Sequence, residues 1–263
     1  MKNYALVTGA SSGIGREIAL QLAQAGFSLL LVSRNEAELA ELSELITQKY
    51  DVKSAFLAMD LSLPASAQQV ADWCIKNQYP VDILVNNAGY GLWGHFQDIE
   101  LEGQLNMVSL NISTVVALTY LMLPVLKKAT QAYVLNVAST AAYQAVPTLA
   151  VYSATKSFVL LFSRAISYEL KDTHVSVSCL CPGPTETGFA HRAGLDALKE
   201  LADKFNIPAE EVAREGITGM FNKKKEIIPG AFNLVSAKAV SFIPKRLVEK
   251  VSAGLYDKAL KKN

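Results

Sequence analysis

Short apolar runs rich in branched side chains alternate with longer helical patterns along most of this chain, and that alternation constrains the fold more than any other feature. Residues 5–8, 28–32, 53–59, 83–86, 133–137 and 175–180 read as strands, each brief and bounded by turn residues. Between them, 13–25, 36–49, 65–76, a long apolar stretch around Asn111 and 151–170 carry helical spacing. A strand that leads through a helix to the next strand has to cross over, so neighbouring strands run parallel and helices cover both faces of the sheet. The expected fold class is therefore α/β, a doubly wound parallel sheet in three layers, with one domain spanning residues 1–263. Gly26 stands where a helix-ending glycine belongs, and Pro182-Gly183-Pro184 stops the last of these strands. From about 188 to 230 the pattern loosens into short, charge-rich pieces. They are expected to form a small, mobile helical lid over the substrate, with a short strand after Lys223-Lys224-Lys225.

Composition excludes several classes. With 51% hydrophobic and 19% charged residues the chain has the material for a large core, which excludes a disordered tail. Its 25 basic and 24 acidic residues nearly cancel, so no nucleic-acid partner is expected. The start of the chain shows no secretory pattern. The stretch 107–126, interrupted by Ser109, Asn111, Ser113, Thr114 and Pro124, reads as a buried helix rather than a transmembrane segment. Three cysteines, Cys74, Cys179 and Cys181, fit a reducing compartment and a cytoplasmic location. The last two are expected on opposite sides of a strand, as core filler, and no metal site is expected.

Gly9, Gly13 and Gly15 lie between the first strand and the first helix, with Ser11, Ser12 and Ile14 in the same turn. There, backbone N–H groups and the helix dipole receive a pyrophosphate, and glycine permits the close approach. Further along, Tyr152 and Lys156 are four residues apart in a helical pattern, on one face, where the ammonium is expected to favour the phenolate and fit the tyrosine for acid/base work.

Taken in order, Thr8-Gly9-x-x-x-Gly13-Ile14-Gly15, Asn86-Asn87-Ala88-Gly89 and Tyr152-x-x-x-Lys156 resemble the short-chain dehydrogenase/reductase family, in its compact single-domain branch with a Rossmann fold. The resemblance runs from the first glycine motif through Thr187. It implies hydride transfer between a nicotinamide and a carbonyl or secondary alcohol, with Asn111, Ser139, Tyr152 and Lys156 as the catalytic set. It also implies that the cofactor is held by Gly9, Ser11, Ser12, Gly13, Ile14 and Gly15 at the first turn, and by Asp60, with Leu61 beside it, at the adenine. Asn87, Ala88 and Gly89 would lie along the cofactor with Tyr152 and Lys156. Pro182, Gly183, Thr185 and Thr187 would cover the nicotinamide, Thr185 replacing a branched aliphatic residue.

In this fold an acidic residue at the end of the second strand selects NAD; here Ser33 and Arg34 stand instead, so NADP(H) is expected over NAD(H). Tyr90, Leu92, Trp93, Tyr143, Phe189 and Phe221 suggest an apolar ketone, 3-oxoacyl or steroid-like substrate. An alternative is a catalytically silent NADP(H)-binding regulator; a nucleotide-sugar epimerase or dehydratase has a different glycine spacing and a larger C-terminal domain. Apolar residues on several faces of the Asn111 helix and of the helix after Lys156 predict a homodimer or homotetramer. Segment 236–263, with seven basic residues against two acidic, reads as a docked helix with a solvated basic face, the alternative being contact with an anionic membrane or a phosphorylated acyl carrier.

Overall fold

The computed structural model describes residues 2–195 and 206–260. Its strands are β1 (Lys2–Thr8), β2 (Phe27–Ser33), β3 (Ser54–Ala58), β4 (Val81–Asn86), β5 (Ala132–Val137) and β6 (Val175–Leu180), followed by the two-residue strands β7 (Thr185–Glu186), β8 (Ile207–Pro208) and β9 (Glu226–Ile227). The first helices are α1 (Gly13–Gln24), α2 (Glu36–Tyr50), α3 (Ser66–Lys76) and α4 (Leu101–Val108), which runs through a π-helical turn (Ser109–Ser113) into α5 (Thr114–Leu126). Then come α6 (Ala150–Glu169), the single turn α7 (Phe189–Arg192), α8 (Ala209–Phe221), α9 (Ala231–Ala239) and α10 (Lys245–Leu260).

Seven strands form one parallel sheet in the order β3-β2-β1-β4-β5-β6-β9, and β7 pairs with β8 apart from it. Alternation along each strand divides the core between two faces. In β2, Leu29 and Leu31 join Ile18 and Leu22 of α1 and Leu39 and Leu42 of α2. Leu30 and Val32 point the other way, to Val70 of α3 and Leu118 and Met122 of α5. Every residue of β2 is buried, which is why a two-sided strand reads as an unbroken apolar run. Each such leucine contributes roughly 1.5–3 kcal/mol by leaving water. From β1 the chain winds outward through β2 and β3, then returns to the other side of β1 at β4. That reversal opens a crevice at the C-terminal ends of β1 and β4.

Two expectations are corrected. The lid assigned to 188–230 is mostly scaffold: Val212, Ala213 and Met220 of α8 are fully buried in the same cluster as α1, and β9 completes the sheet beside β6. The helix looked broken because it carries Gly216 and Gly219. A Cβ on them would stand 2.9 Å from Leu180 Cδ2 and 2.6 Å from Ile227 Cδ1, so these glycines let α8 lie close on the sheet. Within that segment Phe189, Ala190, Arg192, Leu195 and Asn206 line the crevice, and residues 196–205 lie outside the described residues. Cys179 and Cys181 share one face, their sulfurs 3.7 Å apart, because residues two apart on a strand point the same way. Both are fully buried, as core filler should be.

Candidate active site

The crevice is a cavity of about 980 Å³. Its floor is the turn after β1. Gly9 adopts a left-handed backbone (φ +63°), and a Cβ there would stand 2.8 Å from Asn87 Nδ2; one on Gly15 would run into the Gly9 carbonyl oxygen. The first turn is stitched to the segment after β4. Asn87 Nδ2 donates to the carbonyls of Thr8 (2.9 Å) and Gly9 (3.2 Å), while Thr8 Oγ1 accepts from the backbone N–H groups of Asn87 (3.0 Å) and Ala88 (3.1 Å). Ser12 precedes α1 without a side-chain cap, and the first turn of α1 carries no acidic residue. Its N–H groups therefore suit an anion.

The ends of the remaining strands supply the rest of the lining. Gly9, Ser11, Ser12, Gly13 and Ile14 face the cavity from the first turn, Ser33 and Arg34 from β2, Asp60 and Leu61 from β3, and Asn87, Ala88 and Gly89 from β4. Ser139 follows β5, Pro182, Gly183, Thr185 and Thr187 follow β6, and Tyr152 and Lys156 come from α6. Two predicted residues stand behind the lining. Gly15 serves the helix–strand approach just described. Asn111, in the π turn, donates to the Tyr90 carbonyl (2.9 Å) and to Thr155 Oγ1 (3.0 Å), and accepts from the Tyr90 N–H (3.2 Å). It clamps the chain beside Gly89, where a Cβ would stand 2.9 Å from Asn111 Oδ1 and 3.3 Å from Lys156 Nζ.

The far end of the cavity carries groups that suit a nicotinamide dinucleotide. Ser33 Oγ is buried without a hydrogen-bond partner, and Arg34 makes no ion pair among the described residues. Burial acts to raise the Asp60 pKa, yet hydrogen bonds from the Ser62 hydroxyl (2.7 Å) and N–H (2.9 Å), with Arg34 nearby, leave it below the usual value.

At the other end, Tyr152 and Lys156 are both buried. Burial pushes the Tyr152 phenol up to about 12, a side-chain hydrogen bond with Ser139 pulls it back, and Tyr256 raises it further. The expectation that Lys156 favours the phenolate is not met. Its Nζ donates to the Val137 carbonyl (2.9 Å), 5.8 Å from the Tyr152 ring centre, and burial dominates. The same burial lowers Lys156 to about 8, against the opposing influence of Cys179 and Cys181. At neutral pH the arrangement holds a protonated phenol, hydrogen-bonded to a serine, and a charged lysine behind it. Such a phenol can give its proton to a neighbouring oxygen on which negative charge develops.

Of the apolar residues expected at the pocket, Tyr90 and Phe189 line it, while Leu92 and Trp93 pack in the cluster around Tyr152. Tyr143 and Phe221 do not line it. Tyr143 packs behind, near Cys181 and Glu226, and Phe221 meets Phe27 and Tyr133 under the sheet. Sequence reasoning missed Gln144 and Tyr256, both in the lining. The available signal was the spacing of Val248, Ser252 and Tyr256 along one face of α10, though nothing in it says which surface that face meets.

Comparison with known proteins adds the lineage. A family model described as short chain dehydrogenase matches residues 3–197. The very-long-chain 3-oxoacyl-CoA reductase of Laccaria bicolor is 37% identical over 179 residues, 67% of this chain and 53% of that one. Sulfoacetaldehyde reductase 2 of Chromohalobacter salexigens is 36% identical over 221 residues, 81% of this chain and 86% of that one. The chain spans about half the length of the first curated relatives it matches. Among solved structures, a short-chain dehydrogenase from Sphingobium yanoikuyae in complex with NADPH superposes with a TM-score of 0.83 at 27% identity, covering 91% of this chain and 92% of that one. A family model that matches residues 3–197 of 263 makes this chain a member of the short-chain dehydrogenase family.

Proposed function

We propose that the chain is an NADP(H)-dependent oxidoreductase that reduces a carbonyl compound to a secondary alcohol or runs the reverse reaction. The observation that carries this reading is the grouping of Tyr152, Ser139 and Lys156 at one end of a cavity whose other end carries anion-binding groups. A bound nicotinamide would supply or take the hydride. The chain's own residues do the rest. Ser139 Oγ holds the substrate oxygen, and Tyr152 Oη gives it a proton as negative charge develops there. Lys156, tied to the Val137 carbonyl, keeps a positive charge beneath the site.

Arg34 and the unpartnered Ser33 hydroxyl support a preference for the 2′-phosphate of NADP(H). The apolar cluster of Met107, Val146, Leu149 and Tyr152 beside the site supports an apolar substrate, and the reductase names of the relatives support a carbonyl. The test is NADPH consumption across acyl thioesters, steroids and small ketones. Tyr152→Phe is expected to bind NADPH normally and to lose roughly 10²–10⁴-fold in turnover. Near-normal turnover in that variant would end the mechanism, and an inactive wild type across the whole panel would favour a silent cofactor-binding protein.

We further propose a homodimer or homotetramer built on the outer faces of α4 to α6, where Leu105, Tyr120, Leu161 and Tyr168 are exposed. Light scattering at micromolar concentration should give a multiple of the chain mass; a monomeric mass rejects the assembly.

A further inference from the structure

The C-terminal helix adds one side chain, that of Tyr256, to the lining of the cavity. Val248, Ser252 and Tyr256 recur every four residues on α10 and form its inner stripe, each less exposed than its neighbours Leu247 and Val251. Ser252 is buried, and its Oγ receives a hydrogen bond from Gln144 Nε2 (3.3 Å), which ties α10 to the segment that follows Ser139. Tyr256 packs against the cluster of Met107, Val146, Leu149 and Tyr152, and it lines the same cavity as Ser139 and Tyr152. It stands near enough to Tyr152 for one phenol to alter the ionisation of the other. Its side chain packs on the apolar cluster while its hydroxyl makes no hydrogen bond among the described residues.

A hydroxyl that lines a cavity beside a reaction centre discriminates strongly, because a substrate that fills the space without bonding it leaves it unpaired. We propose that Tyr256 is a substrate-binding residue that donates a hydrogen bond to a second acceptor oxygen near the reacting carbonyl. The site then selects ketones carrying such an oxygen over plain hydrocarbon ketones. This rests on the carbonyl-reductase reading and narrows its substrate class.

Ethyl 3-oxohexanoate and 4-nonanone test it, since they match in chain length and ketone position and differ by the ester group. With NADPH, the wild type should favour the oxoester by on the order of tenfold in kcat/KM, and Tyr256→Phe should bring the ratio close to one through KM, with NADPH affinity unchanged. Equilibrium dialysis of both compounds against the NADP+ complex reads the same contact without turnover. The expected result is again a preference that disappears in Tyr256→Phe. A wild type without preference, an unchanged ratio in the variant, or an equal loss on both compounds overturns the proposal. If the wild type turns over neither compound, the carbonyl-reductase reading suffers, and dialysis still decides for or against Tyr256.

Discussion

Replacing Lys156 by methionine should stabilise the protein while ending its turnover. The side chain is 5% exposed, and burial holds its pKa at about 8 against an ordinary 10.5. Each tenfold change in proton affinity is worth about 1.4 kcal/mol, so keeping the charge in the folded chain at neutral pH costs ~3 kcal/mol. Below pH 8 the lysine is protonated in both states and the penalty is constant. Between about 8 and 10.5 the unfolded chain binds the extra proton, so stability rises with pH until the penalty is gone. Methionine has similar reach and no charge, but it gives up the bond to the Val137 carbonyl, which offsets roughly 1.5–3 kcal/mol. The net gain at pH 7 is ~1 kcal/mol, a few degrees in melting temperature for a chain of this size. Thermal unfolding followed by circular dichroism at pH 7 and pH 9.5 provides the assay. Lys156→Met should melt above the wild type at pH 7 and lose that advantage at pH 9.5. A variant that melts lower at pH 7, or a gap that ignores pH, refutes the reasoning.

Arg34→Ala should weaken NADPH binding by tenfold or more and NADH binding little, on the order of one or two charge-assisted hydrogen bonds. Fluorescence titration of both nucleotides into both proteins reads this directly, and an equal loss for both would remove Arg34 from phosphate recognition. Gly15→Ala should lower the melting temperature and weaken both nucleotides together, since its Cβ would run into the Gly9 carbonyl and disturb the Asn87 bonds that shape the turn. Overpacking of this kind costs ~1–3 kcal/mol; an unchanged melting temperature and unchanged nucleotide affinity would show that the turn gives way freely.

What could be read from the sequence was what depends on neighbours along the chain. The βα alternation, the glycine turn and the four-residue step from Tyr152 to Lys156 are local patterns, and the structure brings their residues to one crevice. Contributions that depend on distant packing were not legible. In α8, Gly216 and Gly219 look like helix breakers until Leu180 and Ile227 are seen against them. Phe221 looks like a pocket aromatic until its partners Phe27 and Tyr133 are known. The acid/base tuning went astray for the same reason. The helical step puts Lys156 beside Tyr152, but the degree of burial, set by the surrounding elements, decides which way the phenol shifts. Tyr256 lies about a hundred residues beyond Tyr152 in sequence, and only the docking of α10 brings the two together.

Deuterium transfer tests the central claim most directly. The protein is incubated with NADPH carrying deuterium at both C4 positions of the nicotinamide and with a carbonyl substrate found in the panel, and the alcohol is examined by mass spectrometry. The account predicts one deuterium on the carbinol carbon, with the rate of its appearance falling roughly 10²–10⁴-fold in Tyr152→Phe. An alcohol product without deuterium, or one formed at the same rate when Tyr152 lacks its hydroxyl, would contradict it.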